Sequence, residues 1–295
     1  MTIRILITGA QGQLGQSFRY LKTLELPGTP ELILLNRHEL DIEQADQILH
    51  ALNLYTPSVL INTAAYTNVE RAEQYPLRAH AINHKAVGSL AHICALHNVK
   101  LLHVSTDYVF DGFQDTPYDA DALPAPLNVY GQSKLAGEQA ALAALPNCII
   151  LRTSWVFSQF NQNFLKTMLK LGSTTALLSI VNDEIGGPTY AVDLARVILQ
   201  LALHPQAQGI YHFSGLPYVS RYEFAKAIFF TAQKYGVVPT PPRLQPVPSS
   251  TYPSVAQRPK QVRLAMQRLQ DLNIPCMYPW QQGIQASLLA LSKQL

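Results

Sequence analysis

Cysteine is scarce: the chain of 295 residues holds only Cys94, Cys148 and Cys276, an odd number, far apart and with no Cys-x-x-Cys pair. That pattern excludes a disulfide-stapled scaffold and a zinc ribbon, and the three read as reduced core thiols of a cytoplasmic protein. Charge is also thin, at 14% Asp, Glu, Lys and Arg with a formal net charge of +3. There is no basic run and no alternation of aromatic and basic residues to track a phosphate backbone, so nucleic acid is not an expected partner. Long apolar runs are missing too. The sequence opens directly on the strand pattern Ile3-Arg4-Ile5-Leu6-Ile7, and with no apolar span of about 18 residues neither a signal peptide nor a membrane-crossing helix is expected. Internal repeats and low-complexity segments are likewise lacking.

What the chain does have is apolar material, 48% of its residues, enough for a large buried core. Short apolar runs at Arg4 to Thr8, Glu31 to Leu35, Val59 to Thr63, Lys100 to Ser105 and Ile149 to Thr153 alternate with helical patterns, including Pro76 to Leu96 and Asn128 to Leu145. The inner runs are continuous, as in parallel strands covered on both faces, and the helical stretches are long enough for right-handed crossovers. The expectation is an α/β fold with a doubly wound parallel (Rossmann) sheet. Residues 1–155 would form a dinucleotide-binding domain, with returning strands near 177–181 and 209–213. Residues 156–295 would form mainly a smaller, discontinuous α/β substrate domain, from about 157–175, 215–259 and 279–295. Ser220-x-x-Glu223 is a capping box opening a helix, whereas seven prolines between Pro239 and Pro259 suit an extended surface wrap better than a helix or central strand.

Four stretches carry chemistry. Gly9-Ala-Gln-Gly12-Gln13-Leu14-Gly15 follows the first strand and opens a helix, the place where glycines and a helix N-terminus cradle a pyrophosphate. The spacing is Gly-x-x-Gly-x-x-Gly, so a plain strand-to-helix turn is the competing reading. The second strand ends at Asn36-Arg37, where an acid would hold the 2′-hydroxyl of NAD; Arg37 instead suits a 2′-phosphate, which favours NADPH and leaves NADH possible. Asp41 reads equally as a helix cap or an adenine-side contact. Asn62-Thr-Ala64-Ala65-Tyr66 and Ser105-Thr106-Asp107 end the third and fourth strands, at the edge where open sheets bind ligands. Finally, Tyr130 and Lys134 stand four apart, on one helix face with Cβ atoms roughly 5–6 Å apart. An ammonium beside a phenol, which titrates at about 10 when free, would move Tyr130 toward proton exchange with a carbonyl, aided by a hydroxyl from Thr106 or Ser105. Taken alone, the pair is more plainly a solvated helix face.

Taken together, Gly9-x-x-Gly12-x-x-Gly15, Asn62-Thr-Ala-Ala, Ser105-Thr-Asp-Tyr-Val-Phe110, Asn128-Val-Tyr-Gly-x-x-Lys134-Leu-Ala-Gly-Glu138, Arg152-Thr-Ser-Trp-Val156 and Asn182-Asp-x-x-Gly-x-Pro188-Thr resemble the dTDP-4-dehydrorhamnose reductases, a family within the extended short-chain dehydrogenase/reductases. The resemblance runs from Ile3 to about Leu264. It implies reduction of the 4-keto group of dTDP-4-dehydro-6-deoxy-L-mannose to dTDP-L-rhamnose. It further implies Tyr130 as proton donor, Lys134 as its tuner and a nicotinamide-ribose ligand, and Thr106 as the group polarising the ketone. Gly12, Gln13 and Leu14 would meet the diphosphate, Asp41 and Ile42 the adenine side, and Ala64, Ala65 and Tyr66 the cofactor along the sheet edge. Thr106, Asp107 and Trp155 would face the dTDP-sugar; without the family, Trp155 reads as a core aromatic. Where the family shows Arg-Pro followed by Asn-Ser, this chain has Arg258-Pro259-Lys260-Gln261-Val262, and Arg258 and Lys260 read equally as contacts to the nucleotide diphosphate or as solvated loop charges. Some relatives bridge a homodimer with Mg²⁺ through glutamates, but here Gly15 is followed by Gln16 and no acid follows Asp271. A metal and a metal-bridged dimer are therefore not expected, which leaves open a homodimer of another kind. Two other functions share parts of these strings: a nucleotide-sugar epimerase or dehydratase, and a non-enzymatic regulatory subunit of the methionine adenosyltransferase type.

Overall fold

The computed structural model describes residues 3–24, 30–276 and 278–292. Six parallel strands make the main sheet, in the order Gly209–Phe213, Ile149–Thr153, Lys100–Thr106, Val59–Asn62, Arg4–Thr8, Glu31–Leu35. The chain runs outward from the first strand to the second, then crosses to the third on the first strand's other side. That reversal creates a crevice at the carboxyl ends, between Thr8 and its register partner Asn62. Val59–Asn62 and Ile149–Thr153 are buried at every position, as continuous apolar runs require when helices cover both faces.

One face carries Gln13–Lys22 and Ala191–Leu203, whose Leu14, Phe18, Leu194 and Ile198 pack on Ile5, Ile7, Ile61 and Leu151. The other carries Ala45–Tyr55, Ala86–Leu96 and Val129–Ala144, with Ile48, Leu90 and Ala141 against Leu6, Leu60 and Ile150. The expected helix from Pro76 to Leu96 is present but carries a π-helical turn at Ala81–Lys85. Such turns concentrate at functional sites.

Gly209–Phe213 joins the main sheet beside Ile149–Thr153. Leu177–Val181 does not, contrary to the sequence expectation. It pairs in parallel with Arg243–Val247, inside the proline-rich stretch, as a separate two-stranded sheet. The reason is visible in its burial: positions alternate, with Leu178 and Ile180 inward and Leu177 exposed, the mark of a strand covered on one face only. Its partner tolerates Pro246 because a two-stranded sheet has only edges. A third apolar core gathers Leu178 and Ile180 with Leu165, Met168, Phe224, Ile228, Trp280 and Ile284. Helix Arg221–Lys234 in that core begins with the expected capping box, and both Ser220 and Glu223 bonds form. The last helix spans Trp280–Ser292; residues 293–295, included in the sequence expectation, lie outside the described residues. Among the described residues no helix is long and apolar enough to cross a membrane.

Candidate active site

At the crevice the first strand hands over to the glycine turn. Gly9 has a φ of 72°, and a Cβ there would stand 2.8 Å from Thr63 Oγ1 and 3.0 Å from the Ala64 amide nitrogen. Only glycine fits. Gly12 caps helix Gln13–Lys22 with no side-chain bond to its first-turn amides, leaving donors at a positive helix end. Gly15 has a different task. It is buried, and a Cβ would come within 2.6 Å of Ala10 Cα, so it lets helix and turn pack together and does not line the cavity.

That cavity, of about 670 Å³, brings together most of the residues named from sequence: Gly9, Gly12, Gln13 and Leu14, then Arg37, Asp41 and Ile42, Ala64 and Ala65, Thr106, Asp107, Tyr130, Lys134 and Trp155. Tyr66 is not in its wall. Its backbone is clamped by Asn83 of the π turn, which accepts from the Tyr66 N–H at 2.8 Å and donates to its carbonyl at 3.0 Å. Arg258 belongs to a second cavity of about 990 Å³, where it pairs with Glu70 at 2.9 Å. Arg221 lines both and joins them.

At the outer rim Arg37 is more than half exposed and already paired, with Asp41 at 3.1 Å and Glu43 at 3.0 Å. Asp41 is not a helix cap, since Gln44 caps Ala45–Tyr55. Its other oxygen accepts the Glu43 N–H in a short Asx turn.

At the inner end Thr106, Asp107 and Lys134 are buried and Tyr130 partly so. Asn128 caps helix Val129–Ala144, accepting the Gly131 N–H at 2.8 Å, and so sets Tyr130 in the first turn. Burial pushes the Tyr130 phenol above its ordinary range, the adjacent Thr106 hydroxyl draws it back, and Asp107 and Tyr108 push it up again. Thr106 caps the turn Asp107–Val109 through the Tyr108 N–H and donates to Asp107. Burial raises the Asp107 carboxyl to about 7 against the opposing pull of Thr106 and Arg221. Lys134 is 1% exposed; burial lowers its amine to about 8 while Glu138 opposes. The amine does not spend its bonds on the phenol. It donates to Val104 O at 2.7 Å and sits 3.1 Å from His103 Nε2. Among the described residues no hydrogen bond joins the Lys134 amine to the Tyr130 phenol, and the bonds it does make run to the fourth strand.

Several participants escaped the sequence reading. Arg221 lies over the Trp155 ring and 3.6 Å from Glu184, and Trp155 itself adopts a left-handed φ of 45°. A cation at the first position of a helix opposes the macrodipole, and that mismatch after Ser220 was the available signal. Behind Thr106, Ser105 donates to Glu138, which grips Arg152 at 2.7 Å with both side chains 1% exposed. The Thr153 hydroxyl, in the cavity wall, has no partner among the described residues.

A nicotinamide dinucleotide fits these residues. A cradle that no Cβ could share, amides at a helix end and an unpartnered hydroxyl deep in the wall are what a phosphate-bearing polar ligand needs. A phenol and a hydroxyl beside a buried amine can hand a proton to a carbonyl oxygen.

Comparison with known proteins agrees with this architecture. The family model described as the RmlD substrate binding domain matches residues 3–292. The chain is similar to a dTDP-4-dehydrorhamnose reductase of Aggregatibacter actinomycetemcomitans, 42% identical over 273 residues, covering 91% of this chain and 92% of that one. The solved dTDP-4-dehydrorhamnose reductase of Bacillus anthracis str. Ames in complex with NADP superposes with a TM-score of 0.89 at 34% identity, covering 98% of this chain and 100% of that chain. The Clostridium acetobutylicum ortholog gives 0.90 at 32% identity, covering 98% and 100%. With its whole described length matched and its motifs gathered in one cavity, the chain belongs to the RmlD family, alongside the dTDP-4-dehydrorhamnose reductases to which it is similar.

Proposed function

We propose that the protein is a cytoplasmic dTDP-4-dehydrorhamnose reductase, which reduces the 4-keto group of dTDP-4-dehydro-6-deoxy-L-mannose with NADPH to give dTDP-L-rhamnose. One observation carries the reading: Tyr130 lines the same cavity as the glycine turn, beside the buried Thr106 and Lys134. Gly12, Gln13 and Leu14 would hold the diphosphate, Ala64 and Ala65 the sheet-edge side, and Arg37 the 2′-phosphate. When bound, NADPH supplies hydride to the ketone carbon.

The chain's own residues answer the charge that then develops on the ketone oxygen. Tyr130 donates the phenolic proton to it, and the Thr106 hydroxyl, turned from Asp107 toward the ketone, polarises it through a hydrogen bond. General acid help of this kind contributes roughly 10²–10⁴-fold. Asp107, Trp155 and Arg221 would face the sugar nucleotide, with Arg258 in the adjoining cavity for its nucleotide end.

The test is nicotinamide absorbance with purified protein and a dTDP-4-keto sugar. Stoichiometric oxidation of NADPH, lost in Tyr130→Phe, supports the reductase. Turnover of sugar without net NADPH consumption would point to an epimerase or dehydratase, and no oxidation by the protein alone to a binding subunit.

A further inference from the structure

Thr8, Asn62, His103 and Lys134 form a continuous chain of side chains beneath the cavity, each 1% exposed or less. Thr8 Oγ1 donates to Asn62 Oδ1 at 2.6 Å, and the Ala64 N–H donates to the same oxygen at 3.2 Å. A backbone N–H has only a proton to offer, so the orientation of the Asn62 amide is fixed. Its Nδ2 therefore faces His103 Nδ1, at 2.9 Å. Nδ2 is in turn a donor, so Nδ1 is the accepting nitrogen and the proton of the neutral ring sits on Nε2.

Nε2 is 3.1 Å from Lys134 Nζ. An ammonium carries protons and no lone pair, so an Nε2–H facing it would set two donors against each other. The free amine satisfies both neighbours: its lone pair accepts from Nε2–H while one of its own protons goes to Val104 O, at 2.7 Å.

We infer that His103 is a positioning residue which, locked in one tautomer by Asn62, stabilises the uncharged form of the Lys134 amine, and that an anionic dinucleotide entering the cavity reverses this bias and draws in a proton. The second half rests on the dinucleotide reading above. Burial acts in the same direction on both groups, lowering Lys134 to about 8 and holding His103 neutral, well below its ordinary range. The elements packed around helix Val129–Ala144 bring His84, Glu73, Asp107 and Tyr108 near it. His103 is the titratable group bonded to the amine, and Glu138, four residues along its own helix, is the charge that opposes deprotonation.

The experiment is a pH titration of the full chain labelled with carbon-13 at lysine Cε, the Lys134 signal being assigned by its loss in Lys134→Met. In the free protein that signal is expected to titrate at about 8, against an ordinary 10.5. Saturating NADPH is expected to raise the midpoint by about one pH unit, tenfold in proton concentration. Asn62→Asp places an acceptor opposite Nδ1, moves the ring proton there, and is expected to raise the free-protein midpoint by a similar amount. His103→Gln, whose side-chain oxygen can accept from an ammonium, should do the same. A free-protein midpoint near 10.5 overturns the proposal whatever the variants do, and so do folded variants that leave the midpoint unmoved. If NADPH is oxidised with a keto sugar but does not shift Lys134, the proton-uptake half falls and the reductase stands. If NADPH does not bind, the reductase reading falls, while the free-protein midpoint still decides the role of His103.

Discussion

The guanidinium carbon of Arg221 lies 3.5 Å from the centroid of the Trp155 ring. The cation thus caps an indole at the junction of the two cavities, where it also lowers the Asp107 carboxyl. A desolvated contact of this kind contributes about 2 kcal/mol.

Replacing Arg221 by Met should therefore cost about 2 kcal/mol in denaturant unfolding. Because Trp155 and Asp107 lose their common neighbour, KM for the sugar nucleotide should rise about tenfold or more while the affinity for NADPH stays within about twofold, taking about 1.4 kcal/mol per decade. Steady-state kinetics beside fluorescence titration of NADPH separates the two; equal losses in both would remove Arg221 from the sugar site.

Tyr130→Phe keeps the ring and its edge contact with Tyr108, whose centroid is 5.5 Å away, and removes only the hydroxyl. Turnover should fall by about 10²–10⁴-fold with NADPH binding retained. Single-turnover measurements that found wild-type hydride transfer would assign the proton to another group.

Asp107 titrates at about 7 in the folded chain against 3.8 when free. The folded state thus binds more protons across that interval, so this group contributes stability at low pH that is lost as pH rises from about 4 to about 7. Asp107→Asn should abolish that decline, leaving the variant relatively more stable than the wild type at neutral pH. Thermal unfolding of both across the interval checks the sign.

Arg37 sets the cofactor preference if the 2′-phosphate reaches it. Arg37→Gln should reduce the ratio of kcat/KM for NADPH over NADH by about tenfold, the loss of one charge-assisted pair. Its existing ties to Asp41 and Glu43 suggest the complementary change: Glu43→Gln should strengthen NADPH binding modestly by releasing the guanidinium. A preference indifferent to both would exclude Arg37.

The Glu138–Arg152 pair, at 2.7 Å and almost wholly buried, leaves an uncompensated charge if either member is removed. Glu138→Gln should destabilise the fold by about 3–5 kcal/mol, measured by urea unfolding, and more than Arg4→Gln at the exposed pair with Glu31.

The main sheet was legible because its strands are continuous apolar runs, Val59–Asn62 and Ile149–Thr153 above all, separated by stretches long enough for crossover helices. The cavity was legible where spacing along one element decides proximity, as from Gly9 to Leu14 or from Tyr130 to Lys134. Partners brought in by tertiary packing were not. Nothing in the spacing says that Lys134 ends against His103, thirty-one residues earlier, or that Leu177–Val181 seeks a proline-bearing strand in place of the main sheet. Glu138 and Arg152 lay within the strings that carried the resemblance, yet their pairing crosses from helix to strand and left no periodic trace.

The parallel pairing of Leu177–Val181 with Arg243–Val247, and the bridge of Tyr118 to Leu264, bear on the order of folding. Parallel strands bring together segments distant in sequence, and such long loops close late. During synthesis the glycine turn and Tyr130 can find their complete sheet once Gly209–Phe213 has emerged, but the second cavity waits for Arg258 and Lys260. The dinucleotide half would therefore take shape first on the ribosome, and the second cavity would be the last part of the molecule to become competent.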